Sequence, residues 1–188
     1  MPRLLALKDP ARNGSIILSP VEDAGLYATF EDMMKKFGEA MQLSSGVTHA
    51  EFFVDATGQA YISEVATRFA GGGVPRAIHA AFGVDIIEAW MRVEFRLEPG
   101  LNSDPAKYQL AGWLHISPHE DGEIRTVPSA AEYLAAGVVD VTISAIPGKA
   151  CRHDNPSNWC VLATITAPDT QAFIDRCDNL YATLPVKV

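Results

Sequence analysis

The spacing of apolar residues predicts a helix early in the chain. Apolar side chains recur at helical intervals after Thr29, at Phe30, Met33, Met34, Phe37 and Met41. Residues one helical turn apart share a face, so this pattern predicts an amphipathic helix whose apolar stripe packs in a core. Turn dipeptides on both sides of a short apolar run at 16–18 favour an irregular structure for the first 26 residues.

Two runs of alternating residues follow this helix and are typical of strands. They cover residues 48–54 and 60–65, and the turn residues 55–58 join them as a hairpin. Three glycines at 71–73 then precede a helical pattern that begins near Pro75. The region therefore predicts a hairpin, a glycine loop and a helix, in that order.

The second half of the chain shows a different pattern, in which strands predominate. The predicted strands cover 108–117, 123–127, 138–146 and 159–166. A capping box from Ser129 to Glu132 opens a short helix. A last helix has one apolar face, made of Phe173, Cys177, Leu180 and Leu184. Together these elements predict an α+β fold with a largely antiparallel sheet in the second half.

A stretch rich in turn residues, 97–105, is the predicted boundary between two parts of the chain. A length of 188 residues suits one large domain or two small ones and is enough to bury a core. We predict a lobe over residues 1–98 and a smaller mixed α/β C-terminal subdomain over residues 99–188.

Composition and charge exclude some classes of binding partner for this chain. Hydrophobic residues make up 48% of the chain and charged residues 20%, with a net charge of −8. Nucleic acids and anionic membranes require a basic face, so we expect neither as a partner. No apolar run approaches the ~18 residues of a membrane span. Three cysteines without a Cys-x-x-Cys pair predict neither structural zinc nor a disulfide framework, and favour a cytoplasmic location.

Two glutamates in the predicted hairpin are the candidate metal ligands. A register that pairs Val54 with Gln59 places Glu51 and Glu64 on one face, as diagonal neighbours about 7–8 Å apart at Cα. Carboxylates that converge in this way suit a divalent cation, which prefers oxygen ligands. A slip of one residue would send the two side chains to opposite faces. We interpret His49 as a hydrogen-bonded neighbour of Glu64 rather than a metal ligand.

The residues that follow the hairpin are typical of a phosphate site. Arg68 offers a counter-charge to the two acids, and the glycines at 71–73 allow the backbone to approach a ligand closely. Pro75 then starts a helix whose N-terminus is a favourable place for phosphate. This order of residues predicts a site for a metal-bound phosphate.

The run from His49 to Gly73 resembles the catalytic C-terminal segment of the ATP-grasp ligases, especially the amino-acid ligases and biotin carboxylase-like members. The motif consists of Glu51, Glu64 thirteen positions later, Arg68 and the three glycines. The resemblance implies an ATP-grasp C-terminal lobe followed by a C-terminal subdomain. It also implies Mg²⁺ and ATP as cofactors, and a small-molecule carboxylate and an amine as substrates.

The resemblance implies a role for each of the matched residues. Glu51 and Glu64 are expected to bind Mg²⁺ on the ATP phosphates, with Glu64 bridging two ions. Phe53 is expected to lie against adenine, and Arg68 to steady the transferring phosphoryl group and the acyl phosphate. The implied reaction is activation of a carboxylate by ATP, followed by attack of an amine. Its catalysis rests on positioning and charge neutralisation.

Two features depart from the family pattern. Many members have Asn as a further metal ligand two residues after the second Glu, whereas this chain has Ala66. No segment matches the N-terminal domain of the family, its phosphate loop or its adenine hinge. We therefore expect this chain to hold half of a nucleotide cleft and to be inactive without an N-terminal ATP-grasp region or a partner chain. Whether it forms a homo-oligomer stays open.

Two other functions remain as alternatives. One is a non-catalytic or split ATP-grasp lobe that packs against a partner chain, which a large exposed apolar patch would support. The other is a hydrolase that uses the paired carboxylates as acid and base. That alternative predicts Arg68 and the glycine loop turned away from both glutamates.

We interpret His115 and His119 as a strand end and surface loop rather than as a zinc site.

Overall fold

The computed structural model of this chain describes residues 12–101, 104–152 and 159–188. Within these ranges the chain forms eight strands, five α-helices and one short 3-10 helix at Pro105–Lys107. In chain order the strands and α-helices are β1 (Arg12–Ile16), α1 (Ala24–Ala40), β2 (His49–Val54), β3 (Ala60–Ala66), α2 (Val74–Phe82), α3 (Ile86–Glu94), β4 (Ala111–Ile116), β5 (Gly122–Glu123), α4 (Ala130–Ala135), β6 (Val138–Ile143), β7 (Ala150–Cys151), β8 (Val161–Thr166) and α5 (Thr170–Thr183). None of the helices in the described ranges is long and apolar enough to cross a membrane.

Four strands form the main sheet, in the order β1-β4-β8-β6, and every neighbouring pair is antiparallel. The larger core lies on one face of this sheet. There Phe173 of α5 and Tyr133 of α4 pack in one cluster with Leu114 and Ile165 of the sheet. All four side chains are almost completely buried. This cluster is the part of the structure in which hydrophobic burial is most complete.

The opposite face of the main sheet is covered by α2. Ala77 and Ala81 of this helix pack in a second apolar cluster with Trp113 and Leu162 of the sheet. Gly73, just before the helix, comes closest to the sheet, because a Cβ there would lie 2.6 Å from Trp113 Cγ and 3.2 Å from Leu162 Cδ1. Both distances are shorter than ordinary contact between carbon atoms. The approach of α2 to the sheet therefore requires glycine at position 73.

Strands β2 and β3 form a separate hairpin, and α1 lies against one of its faces. Phe30 of α1 stacks on Phe52 of β2 with ring centroids 4.4 Å apart. The predicted apolar stripe of α1 thus meets the hairpin, but no residue of the helix is fully buried. A two-stranded hairpin is marginal by itself and depends on packing against another element. Side chains between α1 and the hairpin are therefore buried less completely than those in the core around the main sheet.

The predicted α+β class is confirmed, with an antiparallel sheet and helices. Three local predictions are wrong. Within the strand expected over 123–127, Glu123 lies in β5 and Thr126 forms only an isolated bridge with Lys187. The segment expected to be irregular contains β1, which is stabilised by pairing with β4, a partner far away in sequence. The first helix begins at Ala24 rather than Thr29, since the Thr29 hydroxyl donates to the Gly25 carbonyl inside the helix instead of capping its start. Residues 1–11 of the segment expected to be irregular lie outside the described ranges.

The division into residues 1–98 and 99–188 stays a prediction. In the structure, β1 from the first interval pairs with β4 from the second, so one sheet contains strands from both. Residues 102 and 103, within the predicted boundary 97–105, lie outside the described ranges. If residues 99–188 folded without residues 1–98, β4 would lack β1 as a neighbouring strand.

Adding a methyl group at Gly73 tests how tightly α2 is held to the sheet. We expect Gly73→Ala to lower the free energy of unfolding by about 1–3 kcal/mol, because the new Cβ overlaps the root of the Trp113 side chain. Gly38→Ala is the matched control, since nothing lies within 4 Å of its Cβ in α1. That control should gain about 0.5–1 kcal/mol from helix propensity. Urea unfolding curves that match for both variants would contradict this packing.

Burial of His115 should make stability depend on pH. This histidine lies in β4 with 8% of its surface exposed, and desolvation lowers its pKa to about 4. The unfolded chain binds a proton there below about pH 6.5, whereas the folded chain does so only near pH 4. Stability from the neutral ring is thus fully present above pH 6.5 and is lost as the pH falls, by up to about 3 kcal/mol.

Urea unfolding at pH 7 and pH 4.5 measures this effect. We expect His115→Gln to lose less stability than the wild-type chain over that interval, because glutamine does not titrate. The exposed His79, in α2, provides the control, and His79→Gln should retain the pH dependence of the wild-type chain. An unchanged pH dependence in His115→Gln would show that this ring is protonated in the folded chain.

Candidate functional site

The two candidate glutamates lie directly opposite each other in the hairpin. Glu51 of β2 pairs with Glu64 of β3, whereas the tip of the hairpin pairs Val54 with Ala60. The predicted register, with Gln59 opposite Val54, is therefore wrong by one residue. A β-bulge at Ser63 adds one residue to β3 and returns both glutamates to the same face. The predicted juxtaposition is present, but it depends on a bulge that the alternating pattern does not reveal.

The turn of the hairpin explains the shifted register. The Asp55 carboxylate accepts hydrogen bonds from the Thr57 hydroxyl, the Thr57 amide and the Gln59 amide. These bonds, led by that from the Thr57 hydroxyl, lower the pKa of Asp55 below its ordinary value. Gln59 is held in the turn, with its carbonyl accepting from the Asp55 amide. The first pair of the ladder beyond the turn is consequently Val54 with Ala60.

One face of the hairpin carries the candidate site and the other carries the contact with α1. Side chains alternate along a strand, so Phe52 points towards α1, and Glu51 and Phe53 point away from it. Phe53 pairs with Tyr61, and these aromatic side chains are 69% and 52% exposed. We call this surface, made of His49, Glu51, Phe53, Tyr61 and Glu64, the open face.

Each glutamate has its own basic neighbour. Glu51 Oε1 accepts a hydrogen bond from His49 Nε2 at 3.3 Å, and Arg68 Nη2 lies 4.0 Å from Glu64 Oε1. Arg68 also donates to the Phe69 carbonyl at 2.9 Å. Exposed ion pairs of this kind contribute little to stability. His49 therefore contacts Glu51, although it was predicted beside Glu64, and Arg68 lies next to Glu64 as predicted.

Two like charges placed opposite each other in a sheet repel, and their placement has a structural cost. Both side chains are about half exposed, at 46% for Glu51 and 58% for Glu64. The side chain of Arg68 is equally accessible, at 57%. All three groups can thus be reached by a ligand in solution. The arrangement suits an added cation between the carboxylates and an anion near the guanidinium.

The glycine loop approaches the main sheet closely. Gly72 adopts a left-handed conformation with φ 61°, and an added Cβ would lie 3.8 Å from both Trp113 Cζ2 and His115 Nε2. Gly73 follows as the N-cap of α2, and Pro75 occupies the first turn of this helix. The loop was predicted to let the backbone approach a ligand. In the structure, the backbone at Gly73 closely approaches an aromatic side chain of the sheet.

The interpretation of His115 as part of a strand end and surface loop is wrong. His115 is an interior residue of β4, and its ring lies 4.7 Å from that of Trp113 and 5.7 Å from that of Trp159. The alternation within the predicted strand 108–117 already placed His115 on the same face as Trp113.

A cleft lies beside Arg68, between α1 and α3. Its volume is about 650 Å³, and its walls include Arg68, Phe69, Trp90 and Glu94 but neither candidate glutamate. Phe69 and Trp90 meet edge to face with centroids 5.3 Å apart. Arg68 therefore stands between this cleft and the open face. Its position next to Glu64 is the opposite of what the hydrolase alternative predicted for this arginine.

The chain is similar to ligases in sequence and in structure. It is 26% identical over 131 residues to the L-arginine-specific L-amino acid ligase of Bacillus subtilis, a match that covers 69% of this chain and 31% of that protein. The crystal structure of the L-amino acid ligase from Bacillus licheniformis superposes with a TM-score of 0.75 at 16% identity. This second match covers 94% of this chain and 45% of the other.

A third comparison comes from the biotin carboxylase domain of the Hydrogenobacter thermophilus 2-oxoglutarate carboxylase, solved with MgADP, ADP and bicarbonate. It superposes with a TM-score of 0.61 at 16% identity, covering 94% of this chain and 41% of that one. No protein-family profile matches the chain. The chain spans less than half the length of each of these three relatives. It carries part of the ATP-grasp ligase fold, and the resemblance drawn from Glu51, Glu64 and Arg68 is confirmed at the level of the fold.

Proposed function

We propose that this chain is part of an ATP-dependent carboxylate–amine ligase and supplies the metal- and phosphate-binding half of its nucleotide site. The observation that carries the proposal is the direct pairing of Glu51 with Glu64 on the open face, with Arg68 4.0 Å from Glu64. The similarity to L-amino acid ligases over most of this chain supports the same function. The reaction would join a carboxylate to an amine through an acyl phosphate.

The donor set on the open face fits Mg²⁺ bound to a nucleotide. No cluster of three or more His, Cys, Asp or Glu side chains suited to a metal occurs in the ranges that the structure describes. Mg²⁺ is commonly held by one or two carboxylates together with phosphate oxygens and water, rather than by a complete protein cage. Glu51 and Glu64 would supply those carboxylates, and the ion when bound would offset the negative charge of the phosphates.

The remaining residues of the open face suit the other parts of the nucleotide. Phe53 and Tyr61 present a pair of exposed aromatic rings on the same face as the glutamates. A base stacked on an aromatic side chain gains about 1–3 kcal/mol. Arg68 would bind the phosphoryl group as it passes to the carboxylate, since a guanidinium can form two parallel hydrogen bonds to phosphate oxygens. We propose Phe53 as the adenine contact and Arg68 as the phosphate contact.

Loss of one carboxylate tests the proposed metal site. We expect Glu64→Gln to weaken Mg·ATP binding to this chain by about tenfold or more, because an amide cannot replace the charge that faces the cation. Chelation of Mg²⁺ by EDTA should weaken binding to the wild-type chain to a similar extent. Isothermal titration calorimetry measures both effects.

The matched control is Glu88→Gln in α3. Glu88 is exposed and lies 3.8 Å from Arg92 four residues later, which reproduces the spacing and distance of Glu64 and Arg68. The control should bind Mg·ATP as the wild-type chain does. Equal binding by the Glu64 and Glu88 variants would exclude the open face as the metal site.

A second candidate function is that of a lobe that works only against another protein surface. The observation that favours it is the exposure of large apolar side chains at the hairpin, where Phe53, Val54 and Tyr61 are each more than 40% exposed. Surfaces of this kind mark interaction sites. The occupant would be an N-terminal ATP-grasp region or a partner chain that completes the nucleotide cleft.

Charge substitution on the open face separates this candidate from a self-sufficient site. We expect the N-terminal half of the Bacillus subtilis ligase to bind this chain in the absence of nucleotide, and Phe53→Asp to abolish that complex. Leu134→Asp is the control, since Leu134 is 50% exposed on α4, in a different part of the fold. Fluorescence titration with the labelled N-terminal half gives the affinities. Loss of the complex in both variants, or in neither, would rule out docking at the open face.

A further inference from the structure

Buried polar atoms gather on the face of the main sheet that lies beneath the glycine loop. Asn13 Oδ1, Trp113 Nε1 and His115 Nε2 are each shielded from solvent and have no hydrogen-bond partner in residues 12–101, 104–152 and 159–188. Buried polar groups are nearly always satisfied, and each exception calls for an explanation. Thr164 Oγ1 of β8, the cross-strand partner of Trp113, is a fourth such atom in the described ranges. Four such atoms on three neighbouring strands point to a ligand.

The strand register places these atoms close together. Asn13 of β1 is the cross-strand partner of His115 in β4, so their side chains share one face. Trp113 precedes His115 by two residues and lies on the same face, with the two rings 4.7 Å apart. We call Asn13, Trp113 and His115 the aromatic cluster.

The chemistry of the cluster is polar but uncharged. Trp159 also stacks on the His115 ring, with an angle of 15° between the planes. Desolvation lowers the pKa of His115 to about 4, so the imidazole is neutral near pH 7. In the tautomer with its proton on Nδ1, Nε2 accepts a hydrogen bond, and Asn13 Oδ1 is an acceptor as well. In this tautomer the cluster offers two acceptors and one donor, the Trp113 indole N–H, beside aromatic rings.

The cluster is close to the proposed phosphate contact. Gly72 covers His115 Nε2 and lies only four positions after Arg68 in the chain. A chain of that length spans at most about 14 Å between Cα atoms. Gly71 and Gly72 are exposed to solvent, and glycines change backbone conformation at low cost. A displacement of this loop would give a small molecule access to the cluster from the side of Arg68.

We propose that the aromatic cluster binds the amino group of the amine substrate, with His115 Nε2 and Asn13 Oδ1 accepting its two N–H hydrogens. The identification of the amine as a substrate rests on the proposed ligase function. A desolvated, uncharged site favours a neutral amine over an ammonium ion, whose burial without a counter-charge is costly. Only the neutral amine has the electron pair needed for attack.

The position suits the second half of the proposed reaction. The amine nitrogen would form a bond to the acyl carbon as the bond from that carbon to the phosphate oxygen breaks. The departing phosphate takes the proton that the nitrogen loses, so that an amide and hydrogen phosphate result. In this scheme His115 is a positioning residue that holds the nucleophile and is not itself consumed.

Nuclear magnetic resonance of this chain without nucleotide tests the inference. The probe is L-alaninamide, a primary amine, and the signal is the indole N–H resonance of Trp113. We expect L-alaninamide to shift this resonance. Its Nα,Nα-dimethyl analogue keeps the carboxamide but has no N–H on the neutral amino group, and it should leave the resonance unmoved. Trp90 in α3 provides an internal reference that should not respond to either compound.

Variants identify the acceptors. His115→Phe should weaken L-alaninamide binding roughly tenfold, and His115→Gln, which restores an acceptor, should recover part of the loss. Asn13→Ala should weaken binding several-fold without altering the aromatic rings, and provides the test if His115→Phe fails to fold. His79→Gln, an exposed histidine in α2, is the matched control and should bind normally.

Two results would overturn the inference: equal shifts with both compounds, or binding that neither His115→Phe nor Asn13→Ala weakens. Absence of amine binding in a chain that binds Mg·ATP through Glu64 would overturn this inference alone. Amine binding in a chain that fails the Mg·ATP test would instead overturn the ligase proposal and leave an amine site without that reaction.

Discussion

The close approach of the backbone at Gly73 to the Trp113 side chain determines how α2 packs on the main sheet. It brings α2 onto the main sheet at a distance that a single methyl group would disrupt. The same contact ends the segment that begins at Arg68, so it limits how far the hairpin and its arginine can lie from the sheet. The proposed phosphate contact and the proposed amine site are thereby tethered through one short, glycine-rich connection.

The second constraint is electrostatic. A β-bulge places Glu51 directly opposite Glu64, an arrangement that repels in the absence of a cation. His49 and Arg68 offset part of this repulsion, one beside each carboxylate. Since these contacts are exposed and weak, both carboxylates can exchange partners, as the proposed metal site requires. The repulsion makes the hairpin slightly less stable, but it leaves both carboxylates side by side, where the proposed cation would bind.

Periodicity predicted the parts of the fold that have strong local patterns. The apolar face of α5 follows from Phe173, Cys177 and Leu180, which the structure buries. β1 was missed because it is short, contains Asn13 and Gly14, and depends on a partner in the distant β4. The candidate site was predicted by residue type, but its register was not, because the Asp55 side chain extends the turn through Gln59. His115 was misassigned because its neighbours Gly72 and Trp159 are distant in sequence, so the spacing of histidines does not reveal its burial.

The central claim is that Glu51 and Glu64 together hold a divalent cation on the phosphates of a nucleotide. Paramagnetic broadening by Mn²⁺ in the presence of ADP measures this directly through the amide resonances of the wild-type chain. The account predicts that the resonances of Glu51 and Glu64 broaden first, while those of Glu88 and Arg92 in α3 remain sharp. Broadening that begins in α3, or that affects all exposed carboxylates alike, would contradict it.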